Sequence, residues 1–233
     1  MRSSAPLVFH ALIPCSSLCS SRHATTVRTV PALSAVAART TKLRVGTSIF
    51  VPARRNPVLS AHALASIDHM SNGRLIVGVG LGGLEPRDFQ LANTRLDQRA
   101  RITDGYIPLY RQLWTNPISD ATGEFYSCPE VGFGPLPKES IPIWIGGSSP
   151  AAIDRAARLG DGWLSIFLTP EQFVDGSKEL DDIALRGGRD PNEITRANYM
   201  FGAIGETTEE AECVLRPAVE GSSMSPPSRW RVP

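Results

Sequence analysis

The sequence has few cysteines and no long apolar run. Four cysteines in 233 residues do not suggest the disulfide framework of a small secreted protein. Cys15 and Cys19 are closely spaced, but no second pair stands at zinc-ligand spacing, so no metal site is predicted. No stretch of about 18 apolar residues occurs, so we expect no membrane-spanning helix and a cytoplasmic protein.

An excess of charge of one sign is missing as well. The formal net charge is +1, which gives no electrostatic reason to expect nucleic acid or an anionic membrane as a partner. No acidic residue precedes Asp68, and the opening is rich in Ser and Arg. An organellar targeting segment has this composition. We favour a start codon inside a longer gene, or an unordered tail, and treat residues 1–28 as an atypical, disordered or misassigned segment.

Several catalytic motifs are also missing. The sequence contains no G-x-S-x-G elbow, no H-E-x-x-H motif and no Walker loop, so serine hydrolase, zinc protease and P-loop functions have no support. Because the chain offers no strong nucleophile or metal site, we expect a bound cofactor to carry the chemistry.

The hydrophobic pattern predicts strands that alternate with helices. Each predicted strand is a continuous apolar run, which is typical of a parallel sheet covered by helices, either a barrel or a doubly wound sheet. Five strands are recognised, whereas a complete (β/α)8 barrel has eight. Residues 116–140 are predicted to be a Pro/Gly-rich connector and residues 221–233 an irregular tail. The predicted strands are LRVGTSIFV, RLIVGVGLGG, IPIWIGG, GWLSIF and ITRANYMFGAIG, and the predicted helices cover residues 30–41, 57–70, 95–114, 150–159, 171–185 and 207–219.

A glycine-rich turn ends the third predicted strand. Gly146 and Gly147 permit close approach to the backbone, Ser148 or Ser149 suits a helix N-cap, and Pro150 suits the first helical position. The unpaired amides at such a helix start, together with the helix dipole, form a phosphate site. An ordinary glycine turn with a helix cap remains the alternative.

The second predicted strand ends in GVGLGG, residues 78–83, which satisfies G-x-G-x-x-G. The dinucleotide interpretation is disfavoured because a helix is predicted some 20 residues later, where that fold needs an acidic residue ending a strand. Glycines such as Gly80 and Gly82 instead leave room for a flat ring. Glu85 and Asp88 follow and could exchange a proton near the pocket, although solvated loop acids are the plainer interpretation.

Two segments closely resemble the luciferase-like monooxygenase family, in particular its branch that uses the deazaflavin coenzyme F420. They are LRVGTSIFVPARRNPVLSAHALASIDHMSNGRLIVGVGLGG and IPIWIGGSSPAAIDRAARLGDGWL, and the helix that ends in RQLWT fits the same pattern. The resemblance covers roughly residues 29–212. It implies a (β/α)8 TIM barrel of the bacterial-luciferase type for residues 29–220, with the cofactor at the carboxyl face.

The resemblance also implies roles for individual residues. Ser48 and Ile49 match a non-proline cis peptide that bulges against the cofactor ring. The region from Gly80 to Glu85, which includes Gly82, matches the end of barrel strand four, facing the ring. The loop that wraps the cofactor phosphate corresponds to Gly146, Gly147, Ser148 and Ser149.

The sequence departs from the family pattern at both ends. The first two barrel strands and the last one are not recognisable, so the barrel is expected to be incomplete and its activity reduced. Partnering between chains, such as a homodimer, would cover the gap.

The leading functional hypothesis is hydride transfer between reduced coenzyme F420 and a small organic substrate, with Glu85 as proton donor. The second is an FMN-dependent monooxygenase that uses molecular oxygen. A truncated, inactive relative that only binds the cofactor is the third, and a phosphosugar enzyme without affinity for either chromophore is the fourth.

Overall fold

A computed structural model describes residues 29–83, 85–200 and 202–220. The expectations for residues 1–28 and 221–233 lie outside these described residues. The helices are α1 (Thr29–Arg39), α2 (Pro57–Ser71), α3 (Pro86–Gln90), α4 (Arg99–Thr115), α5 (Pro150–Leu159), α6 (Pro170–Arg186) and α7 (Thr208–Glu220). The strands are β1 (Val45–Gly46), β2 (Leu75–Val79), β3 (Ile118–Gly123), β4 (Tyr126–Gly132), β5 (Ile143–Gly146), β6 (Gly162–Ile166) and β7 (Thr195–Tyr199).

Five strands form one parallel sheet in the order β1-β2-β5-β6-β7, which is also their order along the chain. Successive strands of this sheet are connected through helices, as in a (β/α) barrel. The described residues therefore contain five of the eight strands of such a barrel, and the prediction of an incomplete barrel is confirmed for them.

The two faces of the sheet carry different side chains because residues alternate along each strand. Val77, Ile145 and Trp163 belong to the main core, which also contains the buried faces of the helices. On the opposite, inner face, Leu164 packs in a separate cluster with Phe167 and Tyr199. Since β2, β5 and β6 are buried on both faces, these three strands read as apolar runs, whereas β7 is largely half-buried.

Helix starts follow the expected capping chemistry. Asn56, Ser149 and Thr169 each accept a hydrogen bond from a backbone N–H of the helix that follows, and a proline occupies the beginning of each of these helices. Within the described residues, no helix combines the length and the hydrophobicity that crossing a bilayer requires.

No strand was predicted in the Pro/Gly-rich connector over residues 116–140, but β3 and β4 lie within it and form an antiparallel hairpin. Tertiary contacts hold it in place: the Gln112 side chain of α4 donates to the Ser119 hydroxyl at 2.7 Å. Across the hairpin, Glu130 N–H donates to the Asp120 carboxylate at 2.9 Å. The two strands are mostly polar and one contains Pro129, so the sequence lacks the alternation of apolar and polar residues that would indicate a sheet.

Candidate functional site

Three segments that leave the carboxyl ends of neighbouring strands form the candidate site. They are the Ser48–Ile49 bulge after β1, the described residues 80–83 and 85 of the loop from Gly80 to Glu85 after β2, and the loop from Gly146 to Ser149 after β5. The carboxyl edge of a parallel barrel is where ligands bind, because the strand-to-helix loops gather there.

The peptide bond between Ser48 and Ile49 is cis although its second residue is not a proline, in agreement with the expectation from the resemblance. The neighbouring strand makes room for this bulge: a Cβ on Gly78 would lie 2.1 Å from the Thr47 carbonyl oxygen, so only glycine fits. The Thr47 hydroxyl donates to the Gly78 carbonyl at 2.8 Å, and Phe50 N–H donates to the same oxygen at 2.6 Å. The residues on either side of the bulge, Thr47 and Phe50, are thus both hydrogen-bonded to β2.

The Ile49 side chain lies across the glycines that end β2 and β5. A Cβ on Gly80 would lie 2.0 Å from Ile49 Cδ1, and a Cβ on Gly146 would lie 2.8 Å from Ile49 Cγ2. A side chain at either glycine would displace Ile49 from this position, while Ser48 is exposed at the surface. The structure brings together three regions that the sequence indicated separately.

Gly147 has a backbone conformation that side chains rarely adopt, with φ +129°. Its N–H donates to the Leu164 carbonyl at 3.0 Å, and its carbonyl accepts a hydrogen bond from Trp163 Nε1 at 2.8 Å. The Trp163 indole is fully buried and stacks on Phe173 with a centroid distance of 5.5 Å. Sequence reasoning placed Trp163 at a strand start without assigning this role; the only signal was an indole directly after Asp-Gly.

The two serines of this loop have different hydrogen bonds. The Ser148 hydroxyl donates to the Ile166 carbonyl at 3.0 Å and accepts from Ile166 N–H at 2.9 Å. Its hydrogen is therefore engaged by β6. The Ser149 hydroxyl accepts from Ala152 N–H at 3.3 Å, and none of the described residues accepts its hydrogen. Ser149 is also exposed, whereas Ser148 is half-buried.

This loop leads into the ten-residue helix α5 and has the chemistry of an anion site. Pro150 occupies the first helical position, and Ser149 to Ala151 are exposed, so the start of the helix faces solvent. Gly147 leaves a cradle that a Cβ would narrow, since that atom would lie 3.0 Å from Ala152 Cβ. The N–H of exposed Ala151, the helix dipole and the Ser149 hydroxyl suit a phosphate group, whereas Pro150 has no N–H and the Ala152 N–H donates to Ser149.

The acidic residues after β2 have structural partners. Glu85 is the N-cap of α3, and its carboxylate accepts from Arg87 N–H at 3.3 Å. Asp88 is only 3% exposed and forms an ion pair with Arg54 at 2.9 Å, so the interpretation of Asp88 as a solvated loop acid is wrong. In the described residues, no group of three or more His, Cys, Asp or Glu side chains is arranged to hold a metal ion.

A cavity of about 280 Å³ opens on the inner face of the sheet. Its walls include Ile76, Trp144, Leu164 and Tyr199, and none of the residues that line it is charged. Burial raises the pKa of the Tyr199 phenol above its ordinary value of 10.0, so this hydroxyl stays protonated at neutral pH. The cavity suits an apolar or neutral molecule.

Several known proteins with similar sequences are named for coenzyme F420 or for reduced FMN. An F420-dependent glucose-6-phosphate dehydrogenase from Amycolatopsis mediterranei is 32% identical over 142 residues, which cover 57% of this chain and 40% of the relative. An FMNH(2)-dependent dimethylsulfone monooxygenase from Pseudomonas fluorescens is 31% identical over 190 residues, covering 80% of this chain and 50% of the relative. The chain spans about half the length of the curated relatives it matches.

Solved structures share the fold. A monooxygenase from Streptomyces bottropensis superposes with a TM-score of 0.72 at 28% identity, covering 82% of this chain and 59% of that one. An F420-dependent secondary alcohol dehydrogenase in complex with an F420-acetone adduct superposes with a TM-score of 0.74 at 20% identity, with the same coverage of 82% and 59%.

The profile of one family, described as luciferase-like monooxygenase, matches residues 13–230. This match extends over most of the chain and includes all three segments of the candidate site. The parallel strand order, the cis peptide and the glycine loop agree with the resemblance recognised in the sequence. The chain belongs to the luciferase-like monooxygenase family.

Proposed function

We propose that this chain is the cofactor-binding part of an oxidoreductase that transfers a hydride between reduced coenzyme F420 and a small organic substrate. The observation that carries this proposal is the meeting of the Ser48–Ile49 bulge with the glycine loop after β5 through the Ile49 side chain. A ring site and a phosphate site then lie next to each other, as a flavin-type cofactor requires.

The phosphate would be held by the loop from Gly146 to Ser149. Trp163 fixes the Gly147 carbonyl and β6 fixes the Ser148 hydroxyl, so the loop is rigid before a ligand arrives. Preorganised donors lower the cost of ordering on binding. The Ser149 hydroxyl and the N–H of exposed Ala151 would supply hydrogen bonds, since Pro150 has no N–H and the Ala152 N–H already donates to Ser149.

The ring would lie against the Ser48–Ile49 bulge. Gly80 and Gly82 have no side chains, so the end of β2 would leave room for it. When bound, the cofactor supplies the hydride. The protein orients the ring, excludes water and holds protons at defined atoms. Glu85 is the proposed proton donor, and the apolar walls around Trp144 and Leu164 would favour a neutral substrate.

The first test is parallel titration of the purified chain with coenzyme F420 and with FMN, followed by cofactor fluorescence. Selective binding of F420 supports the proposal, and selective binding of FMN refutes its cofactor assignment. Ser149→Ala should weaken binding because it removes a hydroxyl donor, whereas Ser66→Ala, an exposed serine of α2, serves as the control. Equal effects of the two variants would contradict the placement of the phosphate.

A second candidate function is an FMN-dependent monooxygenase that consumes molecular oxygen. It is favoured by the dimethylsulfone monooxygenase, whose similarity extends over 80% of this chain. Formation of an oxygenated product from a substrate, dependent on both the protein and reduced FMN, would support this alternative. Binding of either cofactor without turnover would instead support an inactive, cofactor-binding relative, and a homodimer that completes the barrel would be detected by its mass in solution.

A further inference from the structure

A buried ion pair joins the segments that follow β1 and β2. Arg54 Nη1 lies 2.9 Å from Asp88 Oδ2, and the two side chains are 7% and 1% exposed. Arg54 ends the short 3-10 turn Pro52–Arg54 that follows the Ser48–Ile49 bulge, and Asp88 lies in α3, directly after the glycine loop. The pair therefore connects two walls of the candidate ring site.

Other contacts strengthen this connection. The Arg54 guanidinium lies over the Phe89 ring at 4.7 Å from its centroid, and Phe89 is fully buried. The Thr94 hydroxyl, just beyond α3, donates to the Ala53 carbonyl at 2.7 Å. Gly82 has φ +75°, and a Cβ there would lie 3.1 Å from Arg54 Nη2, so the glycine loop rests against the guanidinium.

We infer that Arg54 and Asp88 are positioning residues that set the spacing between the Ser48–Ile49 bulge and the loop from Gly80 to Glu85. This inference rests on the proposed function, because that spacing determines whether a flavin or deazaflavin ring fits. Neither residue takes part in the phosphate loop, which is held by Trp163 and β6. The pair should therefore affect recognition of the ring and leave recognition of the phosphate unchanged.

Burial is what separates this pair from a surface ion pair. Two charges removed from water add little stability compared with apolar side chains of similar size, but they have strict geometry and become unfavourable when one partner is removed. The Arg95–Asp97 pair is the matched control, since it follows the same loop in sequence but its side chains are 71% and 65% exposed.

The binding test compares Arg54→Met and Asp88→Asn with Arg95→Met. Affinity is measured for the cofactor that binds and for its phosphate-free form, riboflavin in the case of FMN. We expect both buried-pair variants to weaken both ligands by about the same factor, on the order of tenfold, and Arg54→Lys to recover part of the loss. The control should change neither affinity. An altered ratio between the two ligands, or an equal loss in the control, would overturn the inference.

A second measurement needs no cofactor. Hydrogen–deuterium exchange of the unliganded protein should increase in residues 47–55 and 80–90 of Asp88→Asn, and remain unchanged in β6 and β7. A uniform increase over the whole sheet would mean that the pair only supports global stability, which refutes a positioning role. If the parent chain binds neither cofactor, the proposed function fails, while the exchange pattern still decides whether the pair fixes the two segments.

Discussion

Replacement of Gly147 by alanine should damage both stability and phosphate recognition. Gly147 has φ +129°, which is unfavourable for any residue with a Cβ, and holding alanine there costs about 1–3 kcal/mol. The new Cβ would also lie 3.0 Å from Ala152 Cβ. Rotation of the peptide would relieve the strain but break the hydrogen bonds to Trp163 or Leu164, each contributing about 1 kcal/mol. The free energy of unfolding should therefore fall by about 1–3 kcal/mol.

The effect on binding separates the phosphate from the ring. Hydrogen bonds to a charged group contribute about 1.5–3 kcal/mol each, so losing one in the loop lowers affinity for the phosphorylated cofactor by about tenfold or more. The phosphate-free form of the cofactor should bind Gly147→Ala as well as it binds the parent chain. Urea unfolding gives the stability change, and fluorescence titration with the cofactor that binds and with its phosphate-free form (riboflavin in the case of FMN) gives the ratio of dissociation constants.

Gly73→Ala is the matched control for this experiment. Gly73 has φ +78°, and a Cβ there would meet no atom within 4 Å, so the change introduces backbone strain without a new contact. It precedes β2, at the amino ends of the strands, whereas the candidate site lies at their carboxyl ends. Gly73→Ala should lower stability and leave the ratio unchanged. If Gly147→Ala lowers stability without changing the ratio, the loop does not bind the phosphate, and an unchanged stability would refute the strain argument.

Three further changes test other parts of the structure. Burial raises the pKa of the Asp68 carboxyl above its ordinary value of 3.8. The folded state therefore keeps the carboxyl proton to a higher pH than the unfolded chain does, and the free energy of unfolding falls as the pH rises through the folded pKa. Asp68→Asn should flatten that dependence in urea unfolding between about pH 4 and 7. Gly80→Ala places a Cβ 2.0 Å from Ile49 Cδ1 and should cost about 1–3 kcal/mol, a loss that a second change, Ile49→Ala, should partly reverse in thermal unfolding. Glu85→Gln keeps an acceptor for Arg87 N–H, so a fall in kcat with unchanged stability would support a proton-donor role, and unchanged kcat would refute it.

The centre of the sheet was predictable because β2, β5 and β6 are buried on both faces. All five residues of β2 are buried, so the segment Leu75–Val79 reads as an uninterrupted apolar run. β1 was predicted as a longer strand than it is: Val45–Gly46 is followed by the bulge, and pairing resumes only at Phe50, opposite Val79. The apolar run alone cannot show this interruption, which only the resemblance indicated.

The hairpin and the supports of the site could not be read from local patterns. The hairpin position depends on Gln112 of α4, and the Gly147 carbonyl depends on Trp163 from the next strand. Asp88 stands among turn residues in sequence, yet Arg54 from another segment makes it a buried partner. Where a side chain packs closely against a loop, the loop needs a glycine, and that glycine can be recognised in the sequence. A side chain that holds the loop from a distant segment leaves no local signal.

Binding of the cofactor can be tested separately from catalysis because the residues that hold the ring and phosphate segments are close together in the fold. The ring and phosphate segments come from β1, β2 and β5, which are consecutive in the sheet, and β6 supplies Trp163 behind them. The contacts that hold these segments come from β6 and from the stretches that follow β1 and β2, where Arg54 pairs with Asp88. A cofactor affinity that responds to Gly147 and Arg54 as expected would localise recognition there, even if the chain catalyses nothing. A cofactor affinity that responds to neither residue would mean that these strands preserve the geometry of the family without the binding it serves.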